Sequence, residues 1–132
     1  MITLSTEHAA ERAAAALAAT LTKLDSGSSG ATVSLYGTAR PTNGGDAGGA
    51  AQAVLVLPKP AGTIDAGVLT LGAVTDALIT STGVALWARV EANGGIVFDC
   101  DVSDTTGTAT IRLATTQLYT GGSVQMASGI LG

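Results

Sequence analysis

Residues 83–102, GVALWARVEANGGIVFDCDV, constrain the fold more than any other stretch. Val84, Leu86, Ala88 and Val90 alternate with Ala85, Trp87, Arg89 and Glu91. After Asn93-Gly94-Gly95, Ile96, Phe98, Cys100 and Val102 alternate with Val97, Asp99 and Asp101. Successive side chains of a strand point to opposite faces, so each run has one apolar and one largely polar face. The segment therefore reads as a half-buried antiparallel hairpin. Paired residues share a face, so the two apolar sets must oppose each other. A three-residue loop, Asn93-Gly94-Gly95 with Gly95 left-handed, sets Val90 opposite Phe98 and Arg89 opposite Asp99, which adds a cross-strand charge pair. With Val84, Leu86, Ala88 and Val90 turned to the core, Trp87 faces outward. There the N-terminal helix or another subunit covers it, or the core itself closes over both faces.

The rest of the chain repeats the β pattern after one helix. A helix is expected from Glu7 to Leu24, with Ser5 and Thr6 as N-cap candidates and Glu7 and Glu11 near its positive end. Lys23 stands near the other end, and Gly27 supplies a left-handed stop. Leu17, Leu21 and Leu24 form one stripe at i, i+4, i+7, and most of the remaining helix is alanine. Ser26-Gly27-Ser28-Ser29-Gly30 reads as a flexible joint, which makes residues 1–30 a helical arm and residues 31–132 a separate β domain. Strands are expected at 31–37, 51–57, 66–74, 77–80, 84–92, 96–102, 107–114 and 123–130. About eight short strands at this spacing predict a mainly β protein, an antiparallel β-sandwich of jelly-roll type with one N-terminal α-helix. Between the first two strands lies a glycine-rich loop, 38–50, containing Arg40-Pro41. No segment repeats at a fixed period.

The composition narrows the class of function. Charged residues make up 12% of 132 residues, about half the usual share, and such a weakly charged surface favours close contact with other protein. The net charge is −4 and the six basic residues are scattered, which argues against direct contact with nucleic acid. Cys100 is the one cysteine, so neither an internal disulfide nor a cysteine metal site is available. On the apolar face of its strand it reads as a small buried hydrophobe. Met1-Ile2-Thr3-Leu4 lacks the basic start and long apolar run of a signal peptide, and no stretch approaches the ~20 apolar residues of a membrane span. Synthesis in a cytoplasm-like compartment, with no membrane partner, is the expectation.

Asp99, Asp101 and Asp104 are the candidates for chemistry. An EF-hand loop begun at Asp99 would need glycine and an acid where Asp104 and Thr110 stand, so that pattern fails. Read as a glycosidase pair, the carboxylates lack both an aromatic sugar platform and a pocket that would raise a pKa. The plainer reading is an outward, solvated strand face entering a turn. His8 has only Glu11 near it at a useful spacing. A nucleophile elbow and a phosphate loop ending in Gly-Lys-Ser/Thr are both missing. No catalytic residue, no cofactor and no enzymatic activity is expected.

The order of features is similar to that of a known group. An alanine-rich helix precedes Leu35-Tyr36-Gly37-Thr38-Ala39-Arg40-Pro41 and a glycine-rich loop. Then come Ala53 to Leu57, Lys59-Pro60-Ala61-Gly62, Ala66-Gly67-Val68-Leu69, Thr82 to Val90, and Val97-Phe98-Asp99. This resembles small virion structural proteins of tailed bacteriophages and prophages, including jelly-roll cement or decoration proteins, over about residues 10–130. The resemblance implies a minor capsid protein on the virion surface, made in the host bacterial cytoplasm, that binds and stabilises a shell of major capsid protein and self-associates. Leu17, Leu21, Leu24, Arg40, Pro41 and Trp87 are the interface candidates. A tail or baseplate component is the alternative within the same class, and a carbohydrate- or cation-binding β-sandwich is the alternative outside it.

Overall fold

The computed structural model describes residues 2–42, 44–72, 74 and 76–132. It is mainly β, with one helix, α1 (Thr6–Leu24), at the N-terminal end. Twelve strands follow among the described residues: β1 (Thr32–Tyr36), β2 (Ala53–Val56), β3 (Gly62–Asp65), β4 (Val68–Leu71), β5 (Ala77–Leu78), β6 (Gly83–Val84), β7 (Trp87–Ala92), β8 (Gly95–Asp104), β9 (Ile111–Leu113), β10 (Gln117–Leu118), β11 (Ser123–Val124) and β12 (Met126–Leu131). Eight of them form one sheet in the order β2-β1-β7-β8-β9-β12-β4-β3, and β10-β6 and β11-β5 make two small ladders beside it. No helix of the described residues is long and apolar enough to cross a membrane.

The large sheet is mixed, which corrects the antiparallel expectation: β8 and β9 run parallel, with Val102 opposite Ile111 and Asp104 opposite Leu113. Parallel neighbours ordinarily need a crossover of a dozen or more residues. Residues 105–110 suffice because the overlap is three residues long, so the chain has to return only about 7 Å. Asp104 organises that return. Its carboxylate accepts from the Thr106 amide (3.0 Å), the Thr106 hydroxyl (2.6 Å) and the Gly107 amide (3.2 Å).

The sheet is also strongly curled. The Leu57 amide donates to the Ala31 carbonyl and the Gly72 amide to the Ala61 carbonyl, so the two edge ladders extend to residues 57 and 61. Only Pro58-Lys59-Pro60 separates them. Four Cα–Cα steps reach no more than about 15 Å. A flat sheet of eight strands would hold its edges roughly 34 Å apart. The sheet must therefore bend until its edges nearly meet, and its inward face becomes the core: Val33, Leu35, Leu55, Ala88, Val90, Cys100, Ile111, Leu113, Leu69 and Leu71.

The C-terminal half of α1 joins that core. Leu17 and Leu24 are buried within it and Leu21 packs against it, and the helix touches β3 and β4 on one flank and β7 and β8 on the other. Ser5 caps the helix by accepting the His8 amide at 3.1 Å. At the other end the cap is Asp25, without a left-handed residue, so the stop expected at Gly27 is not used. The 26–30 joint is tied down on both sides. The Asp25 carboxylate accepts the Ala61 amide at 2.8 Å, and the Lys59 ammonium donates to the Gly27 carbonyl. By contrast, every residue from Thr6 to Ala16 is exposed, a helical length of about 16 Å.

The central hairpin has the expected pairs and a different turn. Val90 stands opposite Phe98 and Arg89 opposite Asp99. Gly95, however, pairs with Ala92, and the turn is the two residues Asn93 (φ 52°) and Gly94 (φ 78°), both left-handed as a type I′ hairpin requires. Val97 is the extra residue of a β-bulge, which restores the parity that a two-residue turn would otherwise break.

Candidate functional site

The outward face of β1, β7 and β8 brings together two aromatic and four polar side chains. The registers align Tyr36, Trp87 and Asp101 in one row and Ser34, Arg89 and Asp99 in the next. Trp87 stacks on Tyr36 with ring centroids 4.6 Å apart and planes 17° from parallel. Two residues along the same face, the Arg89 guanidinium carbon lies 5.2 Å from the centre of the Trp87 ring, within cation–π range. The guanidinium also grips Asp99 with two bonds, Nε to Oδ1 at 2.8 Å and Nη2 to Oδ2 at 3.0 Å. The same Nη2 donates to the Gly45 carbonyl at 2.6 Å. Both side chains of the pair are only 9% exposed. The hydrogen bond that Arg89 donates to Asp99 raises the Arg89 pKa above its ordinary value, outweighing the opposing effect of partial desolvation.

This face is closed by the chain itself. Thr38 accepts the Trp87 indole N–H at 3.3 Å and donates its own proton to the Ala47 carbonyl at 2.6 Å. Arg40 bonds the exposed Asp101 at 2.6 Å. Trp87 is on the outward face as expected, yet buried there by the chain itself and not available to another subunit. Period-two alternation identifies which side chains share a face, but here both faces of β7 are covered. Val84 and Leu86 depart from expectation in the opposite direction, at 45% and 52% exposed. The chain leaves the small β6–β10 ladder at residue 84 and enters the large sheet at residue 87, so the alternation loses phase between them.

The three acids expected as one solvated group have three separate environments. Asp99 is in the buried pair with Arg89, Asp101 is an exposed partner of Arg40, and Asp104 forms the β8–β9 turn. Asp99 is therefore a correction to the solvated-face reading. Hydrogen bonds from the Thr106 hydroxyl, then from the Thr106 and Gly107 amides, lower the Asp104 pKa. No group of three His, Cys, Asp or Glu side chains among the described residues is placed to hold a metal ion. Burial pushes the Cys100 thiol up to about 12.

Leu17 and Leu24, expected at an interface, are buried in the chain's own core, whereas Arg40 and Pro41 stay at the surface beside β8. Sequence reasoning identified the Arg89–Asp99 pair through its register. It did not single out Thr38, whose link to Trp87 spans 49 residues, or the Gly45 carbonyl.

A groove of about 480 Å³ opens elsewhere, beside the small ladders, with Ile79, Leu118, Val124 and Met126 as apolar lining and Asp76 and Tyr119 among its polar groups. Its volume suits a small ligand. Comparison with known proteins returns no matching family model, no similar curated protein and no similar solved structure.

Proposed function

We propose that this chain is a structural, non-enzymatic protein of a tailed-phage virion, a minor capsid protein that cements neighbouring subunits of the major capsid shell. The observation that carries the reading is the division of its surface. The groups best suited to chemistry, Arg89, Asp99, Asp101 and Asp104, are bonded within the fold. Asp101 and Asp104 face solvent with their oxygens engaged in those bonds, and beside them three turns of alanine-rich helix, residues 6–16, and apolar groups including Leu78, Leu86, Tyr119, Val54 and Val56 are exposed. Alanine lets a helix approach another surface closely, and scattered exposed apolar groups add contact area. Many such contacts, repeated over many copies, stabilise a shell without any single strong site.

Cryo-imaging of particles made with and without the protein tests this directly. Density on the capsid lattice, and particles that assemble without the protein yet open earlier on heating, are the expected results. Density confined to the tail or baseplate would replace the cement role with the tail role. Particles identical in density and heat resistance with and without the chain would refute a virion role. Deleting residues 2–16 is expected to weaken attachment while leaving Leu17, Leu21 and Leu24 to complete the core.

A further inference from the structure

The segment 44–49 crosses the outward face of β7 and β8 on two side-chain contacts. Arg89 Nη2 reaches the Gly45 carbonyl from one side, and the Thr38 hydroxyl reaches the Ala47 carbonyl from the other. The segment contributes almost nothing apolar of its own. It contains Gly44, Gly45, Gly48 and Gly49, none of its residues is fully buried, and its internal order is a local turn in which the Gly48 amide donates to Asp46 at 2.8 Å. Beneath it the sheet is complete without it. β7 has β1 on one side and β8 on the other, and the Arg89–Asp99 bonds do not involve the segment.

We propose that residues 44–49 form a strap that opens as a unit while the sheet stays folded, with Arg89 as its latch. Opening breaks the two carbonyl contacts, leaves Arg89 Nη2 on Asp99 alone, and releases from Ala47 the Thr38 hydroxyl that accepts the Trp87 indole N–H. Local openings of this kind occur where a segment buries little and is fixed by few bonds. Arg89 suits the latch because one planar guanidinium bonds Asp99 and Gly45 at once, a geometry that the point charge of a lysine does not reproduce. The inference concerns the isolated chain and does not depend on the virion role.

Trp87 is the one tryptophan of the chain, and its indole N–H bonds Thr38, whose hydroxyl is held by the Ala47 carbonyl of the strap, so that N–H is a resolved probe of the strap through Thr38. Native-state hydrogen exchange by NMR compares that N–H with the backbone amides of Val90 and Cys100 in the β7–β8 region. In the wild-type protein the indole is expected to exchange at least roughly tenfold faster than the slowest of those amides, with little dependence on sub-denaturing urea, the signature of a small opening. Arg89→Lys is expected to speed indole exchange by a further factor of about ten or more relative to those amides. Equal rates for indole and sheet amides in the wild-type protein, with the same urea dependence, would show that the strap opens only with global unfolding and would overturn the proposal. That comparison decides the matter even where Arg89→Lys fails to fold. If Arg89→Lys folds and leaves the indole rate unchanged, Arg89 is not the latch.

Discussion

Replacing Asp99 with asparagine tests whether the outward face is a true interior. The side chains of Arg89 and Asp99 are each 9% exposed and share two hydrogen bonds of 2.8 and 3.0 Å. Removing one partner of a well-buried pair costs about 3–5 kcal/mol, because the remaining charge stays desolvated. Asparagine retains one acceptor oxygen, and the Gly45 carbonyl still accepts from Arg89 Nη2, so part of that cost is recovered. The expected loss is about 2–3 kcal/mol. For a chain of this length that lowers Tm by roughly 8–12 °C. Urea unfolding followed by Trp87 fluorescence and by circular dichroism measures it, and a double-mutant cycle with Arg89→Met isolates the pair. The penalty should survive 1 M salt, since a buried pair is screened little. Asp101→Asn, at the exposed Arg40 pair, is expected to cost under about 1 kcal/mol. If Asp99→Asn falls within about 0.5 kcal/mol of wild type, or no further from it than Asp101→Asn, the face is solvated and the reasoning fails.

Other outcomes follow from the packing. Leu24→Ala should cost about 2–4 kcal/mol because Leu24 is fully buried, whereas Ala13→Gly on the exposed helix should cost about 1 kcal/mol, both read from urea midpoints. Cys100, with its thiol pushed up to about 12, should react with a disulfide reagent at pH 8 at least roughly a thousandfold more slowly in the native than in the unfolded protein. Its folded pKa lies above the unfolded one, so the fold holds the neutral thiol without penalty below pH about 9, and stability should decline as pH rises from there towards the folded value. Asp104 has the opposite sign: its folded pKa is depressed, so its stabilisation is present above pH about 4 and lost as pH falls through the lower folded value. The stability gap between wild type and Asp104→Ala should therefore narrow in acid, and a gap independent of pH would contradict the turn's role.

Parts of this molecule with a strong local signal were legible in the sequence. The helix is marked by its Ser5 cap and leucine stripe, and the β7–β8 register follows from face parity and the Arg89–Asp99 match. The side chains on one face of β7 could be listed, but not what covers them, because the cover over Trp87 and Arg89 comes from a glycine-rich loop without periodicity. Asp99 and Asp101 look equivalent at i and i+2, yet one is buried and the other exposed, a difference set by where residues 38–50 lie. The parallel β8–β9 contact depends on a three-residue overlap, too short to leave a pattern, and the short strands β3 and β10 fall outside every expected strand.

The strand order also determines when the protein can fold during synthesis. Thr32 pairs with Glu91 and Thr70 with Ile130, so the sheet is assembled by joining segments about 60 residues apart. Closing such loops is entropically slow, and folding on the millisecond-to-second scale is expected of this topology. The β3–β4 and β7–β8 hairpins are local exceptions and can each form within about 1–10 μs once synthesised. On the ribosome, β1 and β2 emerge well before β7. At about 5–20 residues per second, Val33, Leu35, Leu55 and Leu57 wait for seconds before β7 is available to pair with β1. For that interval β1 can pair with β2 but not with β7, and the nascent chain presents an open, apolar strand edge.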